Sequence, residues 1–443
     1  MTKTAAPMTS GSIWKQMTFF AMPIFLGNLF QQLYNTVDSL IVGNFLGSSA
    51  LAAVSSSGSL IFMLIGFFEW NLSGERGVIV ARFFGAGDEK NLQRAVHTTV
   101  AFGLVAGVLM TGVGVALSPQ ILRWMDTPES VMRESVTYLQ IYFAGSLGFV
   151  MYNVLVGILQ AVGDSRHPLY YLIVSSVINL VLDLLFITGF HTGVGGAAVA
   201  TVISQIVSAL LCFWQLLRTK ESYGLKIRKI RFDKGILVQI IKIGLPSGVQ
   251  NSIIAFANVI VQSNINAFGE MAMAGYGAYT KVEGFGFLPI NSFTMALTTF
   301  VGQNLGAKQE ERTKKGARFG ILAAVILAEL IGVVVFLLAP QLIAAFDSSP
   351  EIIRFGVEKA RTAALFYCLL AFSHSIAAIL RGAGKTMVSM IIMMMCWCVI
   401  RVSFLSVMIP LTHSIQVVYW VYPLTWSLSS LAFFWYYKKA KWI

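Results

Sequence analysis

Ala95–Leu117, AVHTTVAFGLVAGVLMTGVGVAL, and Phe319–Ala339, FGILAAVILAELIGVVVFLLA, each continue for roughly twenty residues with almost no charge. At 1.5 Å per residue, that length crosses a hydrocarbon layer of about 30 Å. The whole chain agrees with these two windows. Of its 443 residues 56% are hydrophobic and 12% charged, and the mean hydropathy is +0.73. A water-facing domain carries about a quarter charged residues. The chain therefore reads as an all-α integral membrane protein that crosses the bilayer many times.

The formal charge of +12 raises the question of nucleic acid, and the placement of the basic residues answers it. They cluster in connectors such as Arg218–Lys234, RTKESYGLKIRKIRFDK, and Lys308–Arg318, KQEERTKKGAR. That is the positive-inside bias of cytoplasmic loops, and no basic face with interleaved aromatics remains for RNA or DNA. The cysteines, Cys212, Cys368, Cys396 and Cys398, all fall in expected spans. Cys396 and Cys398 lie roughly 200° apart on a helix, which disfavours zinc and a disulfide alike. The N-terminal MTKTAAPMTSGSIWKQ is polar and lacks a cleavable signal, so the first span is expected to stay.

Hydrophobic runs between polar punctuation give twelve spans, near 18–44, 50–81, 93–117, 135–161, 168–189, 194–217, 236–267, 272–302, 316–339, 357–380, 387–411 and 414–437. An even count puts both termini on one side, and the Lys/Arg bias makes that side cytoplasmic. The halves resemble each other: ALSPQILRWMDTPESV recurs as LAPQLIAAFDSSPEII, and GILQAVGDS as AILRGAGKT. Pro119 and Pro340, Gly163 and Gly384, and Gly85 and Gly306 are all 221 residues apart. Six helices per half is an even number, so the repeats are parallel, with an axis along the membrane normal. Transporters built this way place the substrate path at the repeat interface. The expected organisation is a lobe at 1–217, a basic connector and hinge at 218–235, and a second lobe at 236–443. Gly384-Lys385-Thr386 mimics the end of a phosphate loop, but position 379 is isoleucine and no strand precedes it. No ATPase module is present; transport is expected to be driven by an ion gradient, without an organic cofactor or enzymatic chemistry.

Ionisable groups inside spans cost about 2.5–3.5 kcal/mol each at the bilayer centre, so each needs a reason. Asp38 lies deep in the first span, within NTVDSL. Asp183 lies in the fifth, with Asn179 one i,i+4 step before it on the same face. Thr201 and Asn153 are candidates to complete an oxygen-rich pocket. Two buried carboxylates cannot both stay ionised cheaply, so one proton or one small hard cation is expected there. The plainer reading is that each acid hydrogen-bonds a neighbouring helix and fixes packing.

These residues resemble those of the multidrug and toxic-compound extrusion (MATE) transporters, of the DinF-like bacterial type. The resemblance rests on GNLFQQLYNTVDSLIVG, ARFFGAGDE, YNVLVGILQAVGDSRHPLYY and INLVLDLLF, with TTFVGQNLGA and RGAGKT in the second half. It implies two six-helix lobes and efflux of organic cations and drugs in exchange for H⁺ or Na⁺ across the plasma membrane. It also implies a coupling site at Asp38, Asn179, Asp183 and Thr201, with Gln31 and Asn153 at cavity-lining positions. NorM-like members carry acids in the seventh and tenth helices, and this chain has none there. Glu283 is read as the acid within a second-half span, with a cavity position beside Lys281. Arg401 is expected to pair with a backbone carbonyl or a second-half acid, and His374 to be an interior histidine. The charged stretch Glu69–Gly77 breaks with the family pattern and is given no role. A lipid-linked precursor flippase, or an ion channel, is the rival reading. Apart from the bilayer and its small-molecule cargo no partner is implied, and a monomer is expected.

Overall fold

The computed structural model describes residues 7–46, 76–124, 127, 129–440 and 442. Among them the chain is helical, with no strand. The helices are α1 (Ile13–Leu46), α2 (Arg76–Gly85), α3 (Glu89–Trp124), α4 (Glu129–Ala144), α5 (Ser146–Ala161), α6 (Arg166–Leu184) and α7 (Gly193–Arg218). The second half supplies α8 (Lys234–Asn266), α9 (Glu270–Gly306), α10 (Glu310–Ala344), α11 (Pro350–Ala364), α12 (Tyr367–Gly382), α13 (Thr386–Met394), α14 (Arg401–Thr412) and α15 (Gln416–Lys439).

The twelve expected spans account for this order. Eight described helical segments are long and apolar enough to cross a bilayer alone, and two bent pairs, α4 with α5 and α11 with α12, reach that length and apolarity when each pair is taken together. The first expected span is α1. Most of the second, with Glu69–Glu75, lies outside the described residues, and α2 is its visible end.

Two compact units emerge, one built on Met22–Gly248 and the other on Thr9–Ala21 with Val249–Ile443. The chain thus passes between units inside α1 and inside α8, not in the connector. Each of these helices carries a proline beside the crossing, Pro23 and Pro246. Proline removes one backbone hydrogen bond from a helix interior, so both crossings are weak points of their helices. The connector read as a hinge is strapped to the first unit. Tyr223 and Leu225 are buried, and Gln93 donates to the Ser222 and Gly224 carbonyls. The Lys226 N–H donates to His97 Nε2 at 3.0 Å and the Asp233 N–H to Thr98 Oγ1 at 3.1 Å.

The 221-residue offset persists in the backbone. Gly87 (φ 66°) and Lys308 (φ 55°) are both left-handed, as are Gly163 (φ 89°) and Gly384 (φ 74°). The breaks inside the two bent spans fall at Gly145 and Phe366, again 221 apart, with angles of 47° and 56°. At the second break Glu329 Oε2 accepts the Cys368 N–H at 3.3 Å, supplying an acceptor to the first turn of α12. Glu329 is therefore a second acid within a second-half span, beside Glu283.

Without water to drive helix association, close backbone approach does the packing. A Cβ on Gly114 would lie 2.3 Å from the Phe143 ring, and one on Gly332 2.2 Å from the Ala364 carbonyl oxygen. Only glycine fits at either crossing.

Candidate functional site

Four helices of the first unit bring polar groups to one place. Tyr34 and Asp38 are one turn apart on α1, and Asn179 and Asp183 one turn apart on α6. Thr201 comes from α7, and Tyr138 from α4. The i,i+4 spacing of each pair stacks its two side chains on one helix face, which is why apolar helices can present a polar edge inward. Asp183 is fully buried and Asn179 is 1% exposed, while Asp38 is half-buried.

The Asp38 and Asp183 carboxyls come into hydrogen-bonding contact. Asn179, its amide orientation fixed by its partners, donates Nδ2 to Asp183 Oδ2 at 2.8 Å and accepts the Thr201 N–H at 3.2 Å. The Thr201 hydroxyl donates to the Ala197 carbonyl at 3.0 Å, and the Tyr34 hydroxyl lies near it. One oxygen of each carboxyl, Oδ1 in both, is buried with no donor against it among the described residues. Two ionised carboxylates have only acceptors to offer each other. Their contact therefore needs a proton between them or a cation beside them, and the two unsatisfied oxygens are free to hold either.

Just past Asp183 the helix widens into a π turn, Leu185–Gly189. Such turns insert an extra residue, and they recur at functional sites because they shift a side chain out of the regular helical register.

The structure thus brings together Asp38, Asn179, Asp183 and Thr201. It does not bring Asn153 to them: its amide donates to the Phe149 carbonyl of its own helix at 3.0 Å. Gln31, half-buried two turns before Asp38, makes none of the contacts that hold the cluster. Tyr34 and Tyr138 were not anticipated. The signal for Tyr34 was its i,i+4 spacing to Asp38; Tyr138 had none, because a tyrosine in a span is ordinary.

Glu283 belongs to the second unit, where Tyr279 donates to its Oε1 at 2.6 Å. Among the described residues Arg401 hydrogen-bonds neither a backbone carbonyl nor an acid. Its terminal nitrogens donate to Asn258 Oδ1 at 3.2 Å and Thr425 Oγ1 at 3.1 Å. The His374 ring packs edge-on against Trp397 at 5.4 Å between centroids.

A family model described as MatE matches residues 23–185 and again 246–407, once in each half of the chain. The chain belongs to the MatE family. Its relatives include the probable multidrug resistance protein YoeA of Bacillus subtilis, 29% identical over 96% of this chain and 94% of YoeA. A probable multidrug resistance protein NorM of Thermotoga maritima is 26% identical over 86% of this chain and 82% of its own length. The crystal structure of a MATE protein in the bent conformation superposes with a TM-score of 0.92, at 24% identity over 99% of this chain and 98% of that one. The fold is that of the MATE transporters, and as a family member the chain is a membrane transporter rather than an enzyme.

Proposed function

We propose that this MatE chain is a secondary antiporter of the plasma membrane, with both termini cytoplasmic, working as a monomer. It exports amphipathic, mostly cationic small molecules in exchange for H⁺ or Na⁺. Relatives named as multidrug resistance proteins, and a Staphylococcus saprophyticus relative named as a multidrug export protein, support small-molecule drugs as cargo. The observation that carries the coupling is the Asp38–Asp183 contact, with an unsatisfied oxygen on each side.

In this mechanism the pair binds its proton or Na⁺ in one state of the transporter and gives it up in the other. Asn179 and the Thr201 backbone hold Asp183 in place, and Tyr34 lies beside the pair as a neutral oxygen ligand. Gln31 and Asn153 line the substrate path. The ion is cargo, not a resident cofactor. The experiment is counterflow of a fluorescent organic cation in proteoliposomes. Dye should exchange across the membrane several-fold faster than in protein-free vesicles and saturate with dye concentration. Exchange no faster than the protein-free rate would overturn the reading, and non-saturating flux would favour a channel.

A further inference from the structure

The second unit holds buried charge of the opposite sign. Lys359 on α11 is completely buried, and its ammonium has no acceptor among the described residues. It sits 3.5 Å over the centre of the Tyr422 ring and 5.4 Å from that of Tyr279. The Arg401 guanidinium, 1% exposed, lies 4.5 Å over the same Tyr422 ring. Two of its nitrogens are satisfied by Asn258 and Thr425, but Nε has no acceptor among the described residues. Aromatic faces attract a cation, yet they supply no strong lone-pair acceptor to its N–H groups. The nearby acid, Glu283, is held by Tyr279 and forms an ion pair with neither base. Two basic groups face one carboxyl, and both retain unsatisfied donors.

The repeat makes the contrast sharper. Lys359 is 221 residues after Tyr138, a buried tyrosine near the carboxyl pair of the first unit. In each unit the fifth span has a π turn beside a charged group: Asp183 precedes Leu185–Gly189, and Arg401 follows Met395–Ile400. By the same offset Arg401 matches Leu180, one turn before Asp183, so the bases stand near the first unit's acid positions and not at them. The basic cluster is not sealed, because Asn258 is exposed and Glu283 and Tyr276 are half-buried.

We propose that the second unit contains a binding site for an anionic oxygen group, a carboxylate or phosphate on an apolar body, with Lys359 and Arg401 as its donors. The anion supplies the acceptors that both bases lack and balances the excess positive charge; the faces of Tyr279, Tyr422 and Trp397, the last 5.4 Å from the Arg401 guanidinium, accommodate the apolar part. A second cation is repelled there. The site therefore extends the cargo beyond organic cations to acids and zwitterions.

The test titrates the purified full chain with three probes that share one fluorophore: dansylglycine, its uncharged amide, and a dansyl probe with a trimethylammonium head. The carboxylate should bind at least tenfold more tightly than the amide. Lys359→Met should erase that preference without weakening the trimethylammonium probe, and Lys359→Arg should retain it. Glu283→Gln, which removes the competing acid, should tighten carboxylate binding about threefold or more. If Lys359→Met does not fold, the wild-type probe series and the other two variants still decide. Equal affinity for carboxylate and amide, or weakening by Glu283→Gln, would overturn the site. Displacement of dansylglycine by dioctanoyl phosphatidate would identify a lipid phosphate as the occupant; resistance to it identifies a carboxylate. The trimethylammonium arm reports separately on cation binding, so failure of that arm leaves the anion site standing.

Discussion

Asp38 and Asp183 owe their interest to what surrounds them: a charged group in an apolar span survives only if something neutralises it. If they hold one proton or cation jointly, removing either carboxyl removes the site. Asp38→Asn, Asp183→Asn and the double variant should then each lose gradient-driven efflux at least tenfold, and by similar amounts. Losses that multiply in the double variant would show two independent sites. Asn179→Ala should act differently, since it removes a neutral donor and leaves both acids. A rise of several-fold in the ion concentration needed for half-maximal efflux is expected, with dye binding unchanged; an unchanged ion dependence would contradict the role given to Asn179. These three positions were legible because an aspartate in an apolar run is conspicuous and the i,i+4 step shows which amide faces it. Lys359 was not legible. It sits in VEKAR, whose neighbouring charges read as the polar end of a span, and the rings of Tyr279, Tyr419 and Tyr422, distant in sequence, surround its ammonium.

Among the helices, the internal repeat was readable from sequence, and the bends were not. Gly145 is one glycine among 39, and Phe366 carries no helix-breaking chemistry at all. Turns repeat more faithfully than the residues that form them. Lys308 occupies the left-handed turn that its counterpart Gly87 occupies without strain, at a cost for an L-residue of about 1 kcal/mol. Lys308→Gly should therefore raise the thermal midpoint of the detergent-solubilised protein by a degree or more, about; a lowered midpoint would mean that the lysine side chain repays its strain. Gly332→Ala tests the close crossing of α10 with the α11 end. Its Cβ would meet a backbone carbonyl, which cannot rotate away, so a loss of about 1–3 kcal/mol is expected. Gly277→Ala, whose Cβ meets nothing within 4 Å, is the matched control and should keep or slightly raise the midpoint, because alanine is the better helix former.

At the scale of the molecule, sequence halves and compact units differ in an informative way. The halves meet in the basic connector, whereas the chain crosses between units inside α1 and α8, beside Pro23 and Pro246. Hydrophobic periodicity cannot reveal such a crossing, because a helix shared by two units is apolar on both sides of it. The transporter reading needs the acid pair of the first unit to tie cargo movement to an ion gradient, and that claim has a direct test. Proteoliposomes with wild-type protein or the Asp38→Asn, Asp183→Asn double variant receive a pH gradient or a Na⁺ gradient separately, and accumulation of a fluorescent organic cation is followed. The account predicts that wild type concentrates dye under at least one gradient, while the double variant binds dye and equilibrates it without accumulation. Accumulation by the double variant equal to that of wild type would contradict it.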